Sequence, residues 1–277
     1  MTKLMERLQT TGSFLARVAR PQNPVARLKG AAPASLDREH ATPAQQFAQI
    51  PPNTFAPEAA ERRISVTNLV KDYHTSVGRR RILDNISFDV RKGEKIAIVG
   101  RNGAGKTTLF KMISGVEAPT SGRIDRGLFM SWPLGFSGGL SGEMTGRDNV
   151  RFIGRLYGKN FQDIMAFVDY FAELGPLINV PVRDYSTGMQ ARLAFALTLA
   201  VDFECFLIDE VLSVGDQRFH RKCHEELFEK RKDSAMIVIS HDAGIIRRFC
   251  SKILVLKRGR GRVFDDVELG LRIYETL

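Results

Sequence analysis

The sequence predicts an α/β fold with a parallel sheet, because short apolar runs alternate with longer amphipathic stretches from Ile64 onward. Apolar runs of four or so residues are typical of strands buried on both faces, and helices between them join parallel strands. A glycine-rich loop between one such strand and an apolar helical run points to a nucleotide-type sheet. The predicted strands are residues 96–99, 205–208, 236–239 and 253–256.

The composition is that of an ordinary globular protein. Of the 277 residues, 43% are hydrophobic and 26% are charged, which excludes a wholly disordered or collagen-like chain. No apolar run approaches the ~20 residues that a membrane-spanning helix needs, so we expect no crossing of a bilayer, while a position against a membrane stays open. The net charge of +10 fits either nucleic acid or an anionic membrane surface, but the basic residues are spread along the chain and form no single block, so charge alone does not select a partner. The scattered cysteines predict neither disulfides nor a zinc site, and thus a reducing cytosol; they are Cys205, Cys223 and Cys250.

Residues 1–61 are predicted to form a separate extension. Four apolar side chains of its first part share one helical face, namely Leu4, Leu8, Leu15 and Val18. This permits a short basic amphipathic helix, followed at 21–57 by a linker rich in Pro, Ala and Gln. A helix on a membrane surface or partner and a disordered tail are equally weighted interpretations. The extension lacks the apolar region of a secretory signal, and a transit peptide is a minor alternative.

The folded domain is predicted to occupy residues 62–277, with a helical insertion at about 128–201 between two parts of the sheet. This insertion shows helical periodicity and, by the apolar pattern, no buried strand. Its predicted helices are residues 148–156, 161–174 and 187–200.

Residues 100–107 match the pattern GxxxxGK[ST] directly after a strand and directly before a helical run. The glycines let backbone N–H groups face a phosphate, and the helix adds its positive N-terminal dipole. Lys106 would neutralise β/γ-phosphate charge, and the Thr107 hydroxyl would ligate Mg²⁺. The predicted phosphate-binding residues are Gly100, Asn102, Gly103, Ala104, Gly105, Lys106, Thr107 and Thr108.

Three further features of the sequence indicate a function only when they are considered together. An apolar strand ends in Asp209, which could reach Mg²⁺, and Glu210, which could polarise an attacking water. Ser186 is the predicted N-cap of a helix whose first amides would face an anion, with Gly188 beside it. His241 follows another strand. Taken singly, a solvated strand end, a plain N-cap and a surface histidine are the commoner interpretations.

In order and spacing, these residues resemble the nucleotide-binding domain of ABC-type ATPases. The matching motifs are Walker A at 100–107, the signature at 185–189, Walker B at 205–210, the D-loop at 213–216 and the switch His241. The resemblance implies a P-loop NTPase (RecA-like) core with an antiparallel β subdomain and an inserted α-helical subdomain, with ATP and Mg²⁺ as cofactors. It also implies a homodimer in which Ser186 and Gly188 of one copy clamp the γ-phosphate held by Lys106 of the other. Tyr73 would stack on adenine, and Glu210, His241 and Lys106 would carry the catalysis.

A narrower resemblance is to the ATPase subunit of bacterial capsular polysaccharide exporters. It rests on the segments SWPLG at 131–135 and MTGRDNVRF at 144–152, on YSTGM at 185–189 with Arg192, and on SVGD at 213–216 with Arg218 and Phe219. It implies an integral membrane permease as partner, a capsule export machinery and a place on the cytoplasmic face of the inner membrane. The 36 residues after His241 (277 − 241) are too few for the carbohydrate-binding domain of O-antigen exporters, which favours the capsule type.

The alternatives are an O-antigen or teichoic acid export ATPase and, less favoured, a soluble ABC ATPase acting on nucleic acid or ribosomes. The second would commonly carry two cassettes or a long coiled coil, whereas this sequence has one P-loop and no heptad run. A nucleic-acid partner is therefore not expected. A pseudo-ATPase scaffold is disfavoured because the catalytic residues are intact.

Three departures from the family pattern stand out. The signature reads YSTGM where LSGGQ is common, and the D-loop carries Gly215 where Leu is usual. Both substitutions are typical of the polysaccharide subgroup. The third is Ser141, which stands immediately before Gly142 where the Q-loop glutamine is expected.

Overall fold

The structure is a computed structural model that describes residues 62–76, 78–134, 139–209 and 217–277. The predicted extension, Glu210 and the D-loop segment 213–216 lie outside the described residues.

Three strands form an antiparallel sheet at the start of the described chain. They are β1 (Arg63–Thr75), β2 (Gly78–Arg91) and β4 (Ser121–Arg126). The order is β2-β1-β4, and the register pairs Ile64 with Val90 and with Arg126. One face of the two long strands buries apolar side chains, as expected for a sheet that packs on one side only.

The second sheet has six strands in the order β5-β6-β7-β3-β8-β9. Its strands are β3 (Lys95–Gly100), β5 (Met130–Pro133), β6 (Cys205–Asp209), β7 (Ala235–Ile239), β8 (Lys252–Lys257) and β9 (Arg260–Phe264). All neighbours pair in parallel except β8 and β9. The four predicted strands therefore form the centre of a parallel sheet, as the sequence indicates.

Seven α-helices are present within the described ranges, and the predicted helices 148–156, 161–174 and 187–200 correspond to the second, third and fourth of them. They are α1 (Lys106–Ile113), α2 (Gly146–Leu156), α3 (Phe161–Ala172), α4 (Thr187–Ala200), α5 (Gln217–His224), α6 (Ala243–Phe249) and α7 (Val267–Glu275). Short 3₁₀ turns lie at Gly175–Asn179 and Val182–Asp184, and a π turn at Glu225–Glu229. No helix in the part of the chain that the structure describes is long and apolar enough to span a membrane.

The two faces of the parallel sheet contribute to two separate cores. On β3, Ile96 and Ile98 pack with α1 and the antiparallel sheet, while Ala97 and Val99 face the core that contains the helices α2–α4. Alternate side chains of one strand thus hold both layers to the sheet. The loop that leaves β3 starts between these two layers.

The prediction that residues 128–201 contain no buried strand is wrong, because β5 lies within them. Met130 pairs in parallel with Cys205, and the strand is only four residues long. Its buried Ser131 breaks the apolar run. The Ser131 hydroxyl accepts from the Leu207 amide at 3.0 Å and donates to the Trp132 carbonyl at 2.7 Å, so this polar group is satisfied inside the sheet.

Candidate active site

The glycine-rich loop joins the end of β3 to the start of α1, as the sequence predicts. Gly103 and Gly105 adopt left-handed backbone with φ of 79° and 106°. A Cβ on Gly105 would lie 2.6 Å from Cδ2 of Leu83, and one on Gly100 would lie 2.6 Å from the Leu256 carbonyl oxygen. The loop therefore needs glycine for its bend and for its packing on the neighbouring strands.

Lys106 is buried at the first position of α1 and turns its ammonium group back over the loop. Its Nζ donates to the Gly100 carbonyl oxygen at 2.6 Å and to that of Arg101 at 3.4 Å. Asn102, Gly103 and Thr107 are exposed around it. The ammonium group of Lys106, the backbone amides of the bent loop and the first turn of α1 thus lie together, which is the arrangement that binds phosphate.

Tyr73 lies on β1 and is held against the first turn of α1. Its hydroxyl is hydrogen-bonded with Glu117 and Thr108. Burial, and then the bond with Glu117, raise the pKa of Tyr73. Lys71 contacts both Glu117 and Tyr73. Its Nζ lies 2.9 Å from a Glu117 carboxylate oxygen and 5.0 Å from the Tyr73 ring centroid. The structure therefore places the predicted adenine-stacking ring beside the predicted phosphate loop.

Asp209 and His241 lie at the same sheet edge as the loop. Asp209 ends β6 and pairs in register with Ile239 of β7, two residues before His241. Because β6, β7 and β3 are parallel neighbours, their carboxyl ends bring Asp209, His241 and Lys106 to the same edge of the sheet. The His241 ring meets Tyr274 of α7, with Nδ1 2.7 Å from the phenol oxygen.

The Thr107 hydroxyl and the Asp209 carboxylate are a fitting donor pair for Mg²⁺, which prefers oxygen ligands and keeps several waters and phosphate oxygens. Within the described ranges, no group of three or more His, Cys, Asp or Glu side chains is arranged to hold a metal by itself.

The predicted capping role of Ser186 is confirmed. Its hydroxyl accepts from the Met189 amide at 3.3 Å at the start of α4. A Cβ on Gly188 would meet nothing within 4 Å, so the helix start has open space beside it. Ser186 and Gly188 belong to the helical segment and not to the strand ends that carry Lys106, Asp209 and His241.

Two residues that contact positions singled out in the sequence were missed as individual functional candidates. Asn149 is 1% exposed, and its amide accepts from the Ser141 N–H at 2.9 Å and donates to the Ser141 carbonyl at 3.1 Å. The only sequence signal was a polar residue at an inward-facing position of a helix. The second is Tyr274, whose contact with His241 spans 33 residues of sequence.

A family model described as ABC transporter matches residues 83–213. The chain is 51% identical over 211 residues to ATP-binding protein BexA of Haemophilus influenzae, covering 76% of this chain and 97% of the relative. It is also 51% identical over 214 residues to capsule polysaccharide export ATP-binding protein CtrD of Neisseria meningitidis, covering 77% and 99%. A 41% identity over 215 residues links it to polysialic acid transport ATP-binding protein KpsT of Escherichia coli, covering 76% and 96%.

Solved structures confirm the predicted fold class. An ATP-binding subunit of an ABC transporter superposes with a TM-score of 0.66 at 21% identity, covering 76% of this chain and 92% of that one. A dimeric ATP-binding cassette in a post-hydrolysis state with ADP and Pi gives a TM-score of 0.62 at 21% identity, covering 73% and 97%.

Proposed function

We propose, because the chain belongs to the family of ABC transporter ATP-binding proteins, that it is the ATP-hydrolysing subunit of a capsular polysaccharide exporter. The observation that carries this proposal is the 51% identity over 99% of a relative named for capsule polysaccharide export. The Walker A loop and the strand-end residues of the site supply the matching chemistry. Hydrolysis drives the translocation of lipid-linked polysaccharide across the bacterial inner membrane.

The roles follow from position and charge. Lys106 neutralises the β- and γ-phosphates, and the loop amides orient them. Mg²⁺, held by Thr107 and Asp209, would offset charge that develops on the phosphate oxygens. Glu210 polarises the attacking water, and His241 donates a hydrogen bond at the γ-phosphate.

The working unit is a head-to-tail pair of this chain. Ser186 and Gly188 present the start of α4, with open space beside it, to the γ-phosphate held by Lys106 of the second copy. The dimeric arrangement of a solved cassette of this fold supports the pairing.

An integral membrane permease receives the energy of hydrolysis, and it contacts the polysaccharide in place of this chain. The chain sits on the cytoplasmic face of the inner membrane as part of a capsule export machinery. Its net charge of +10 suits a surface of anionic lipids.

A second candidate is export of teichoic acid. Teichoic acids export ATP-binding protein TagH of Staphylococcus haemolyticus is 38% identical over 197 residues, covering 70% of this chain and 74% of the relative. Both the identity and the coverage are lower than for the capsule relatives, so capsule export is the stronger proposal.

The chemistry is tested with two substitutions that separate binding from hydrolysis. Lys106→Ala should lose productive ATP binding, because the phosphate charge is then uncompensated. Glu210→Gln should retain ATP and accumulate the dimer, because only the water-polarising carboxylate is lost. A nucleotide-binding assay measures ATP binding, phosphate release measures hydrolysis, and size-exclusion chromatography measures the dimer. The control is Lys159→Ala, which removes an ion pair with Asp202 at the surface. Near-normal turnover in Glu210→Gln would contradict the assigned base.

The substrate is tested in a Neisseria meningitidis strain that lacks its CtrD relative. The chain, produced together with its own permease, should restore surface polysaccharide, and the Lys106→Ala variant should not. Restoration of teichoic acid export in a strain lacking TagH, without restoration of capsule, would favour the second candidate.

A further inference from the structure

Tyr274 contacts His241 in two ways. The phenol oxygen lies 2.7 Å from Nδ1, and the two rings are nearly parallel, at 28° with centroids 6.2 Å apart. The phenol is both a donor and an acceptor, whereas neutral imidazole has one nitrogen of each kind. If the phenol donates to Nδ1, the ring hydrogen of neutral His241 must sit on Nε2.

We infer that Tyr274 is a positioning residue that holds His241 in the tautomer with its hydrogen on Nε2, as a donor toward the γ-phosphate. The inference rests on the proposed function for the role of His241. In proteins, a hydrogen bond to one ring nitrogen of a histidine commonly determines which of the two nitrogens carries the hydrogen. In this role Tyr274 acts through His241 and not on the nucleotide.

The helix that carries Tyr274 is fixed closely enough to act in this way. One turn before Tyr274, Gly270 lets the backbone of α7 approach β8, since a Cβ there would lie 2.1 Å from Cγ2 of Ile253. Glu268 of the same helix binds Arg247 of α6 at 2.8 Å. A rigid element places a side chain more accurately than a loop does.

The residues after α7 reach a second part of the site. Arg101 of the Walker A loop donates from Nη1 to the Leu277 carbonyl oxygen at 3.0 Å. The segment that begins with α7 therefore contacts both the loop that binds phosphate and the histidine beside it.

The tautomer of His241 can be observed directly in the unsubstituted protein, with one variant used only to assign the signal. In the full chain at a pH where the ring is neutral, long-range ¹H–¹⁵N spectra show which imidazole nitrogen carries the hydrogen. The five histidines of the chain are distinguished by loss of one signal in His241→Ala. We expect Nε2–H for His241, and Nδ1–H as the main form would overturn the inference.

Tyr274→Phe keeps the ring and removes only the hydroxyl. We expect a mixture of His241 tautomers and a three- to tenfold lower kcat for ATP hydrolysis, with KM for ATP within about twofold, as loss of one neutral hydrogen bond allows. Tyr170→Phe on α3, at an exposed tyrosine, is the matched control and should leave both unchanged. An unaltered kcat in Tyr274→Phe would overturn the inference.

A double-mutant cycle separates this inference from the function on which it rests. His241→Ala should lower kcat strongly, and adding Tyr274→Phe to it should change kcat no further. Additive losses would show that Tyr274 acts otherwise than through His241, which overturns the positioning role alone. An unchanged rate in His241→Ala would overturn the proposed role of His241 and the inference with it.

Discussion

Ser141 is held by its backbone and not by its side chain. Both its N–H and its carbonyl bind the amide of the buried Asn149. The nearest long polar side chain, Glu143, forms an ion pair with Arg183, and both partners are more than half exposed. A serine hydroxyl is shorter than a glutamine amide, so we expect Ser141 to act on the metal site through a bridging water.

Under this hypothesis Ser141→Gln should raise the basal ATPase rate, because it supplies the long amide that the family pattern expects at this position. Glu143→Ala should change the rate little, because an exposed ion pair contributes only about 0–1 kcal/mol. Phosphate release by the purified chain measures both. A large loss in Glu143→Ala without a gain in Ser141→Gln would identify Glu143 as the functional substitute.

For single residues, the sequence predicts the side chains that could carry the chemistry better than it predicts the side chains that hold them in place. Lys106, Asp209 and His241 were predictable, because their types follow strands whose carboxyl ends meet at one edge. The role of Asn149 was not, since a buried polar side chain is recognisable only once the partners that satisfy it are known.

Helix α7 depends on a close approach that only glycine permits. Gly270→Ala should destabilise the protein by about 1–3 kcal/mol despite the better helix propensity of alanine, because its Cβ overlaps Ile253. Urea unfolding gives the free energy of unfolding. In an Ile253→Ala background the added loss should be smaller, and equal losses in both backgrounds would show that the overlap is relieved elsewhere.

Strand prediction succeeded where a strand is an unbroken apolar run and failed where a polar residue breaks the run or no apolar run is present. The central strands β3, β6, β7 and β8 appear as unbroken apolar runs, whereas β5 contains the buried Ser131. The arginines at the start of β2 are exposed and carry no apolar signal, yet Arg80 pairs with Tyr73 in the antiparallel sheet. Such pairing depends on the neighbouring strand and not on local pattern.

Over the whole molecule, several carboxylates gain charge partners on folding. Hydrogen bonds from Arg81 and then Arg79 lower the pKa of Asp72. Burial opposes ionisation of Glu226, but hydrogen bonds with Lys230 and Arg231 outweigh it and lower the pKa of this carboxyl. A lowered pKa in the folded state means that the unfolded chain binds protons first as the pH falls.

The free energy of unfolding should therefore decrease as the pH drops below about 4.5, where unfolded carboxylates begin to protonate, and continue to decrease through the folded pKa values. Urea unfolding between pH 7 and pH 3.5 measures this decrease. Glu226→Gln should lower stability at pH 7 and flatten the acid decrease. A wild-type stability that does not change down to pH 3.5 would show that these pairs contribute nothing.

The long-range arrangement of the site was the part least open to prediction. Arg101 meets the carbonyl of Leu277, 176 residues away in the sequence, and His241 meets Tyr274 across the packing of α7 on the sheet. Neither contact follows from a motif, because both depend on how the last helix docks.

Two separate requirements restrict position 105 to glycine: the backbone conformation of the phosphate loop and the packing against the antiparallel sheet. The Gly105 φ of 106° shapes the loop that holds phosphate, and the absence of a side chain leaves room for Leu83 of the antiparallel sheet. A replacement at Gly105 would therefore disturb the packing of the folded protein as well as the phosphate loop. At Thr107, whose side chain is exposed, a replacement would disturb the phosphate loop without the same loss of packing.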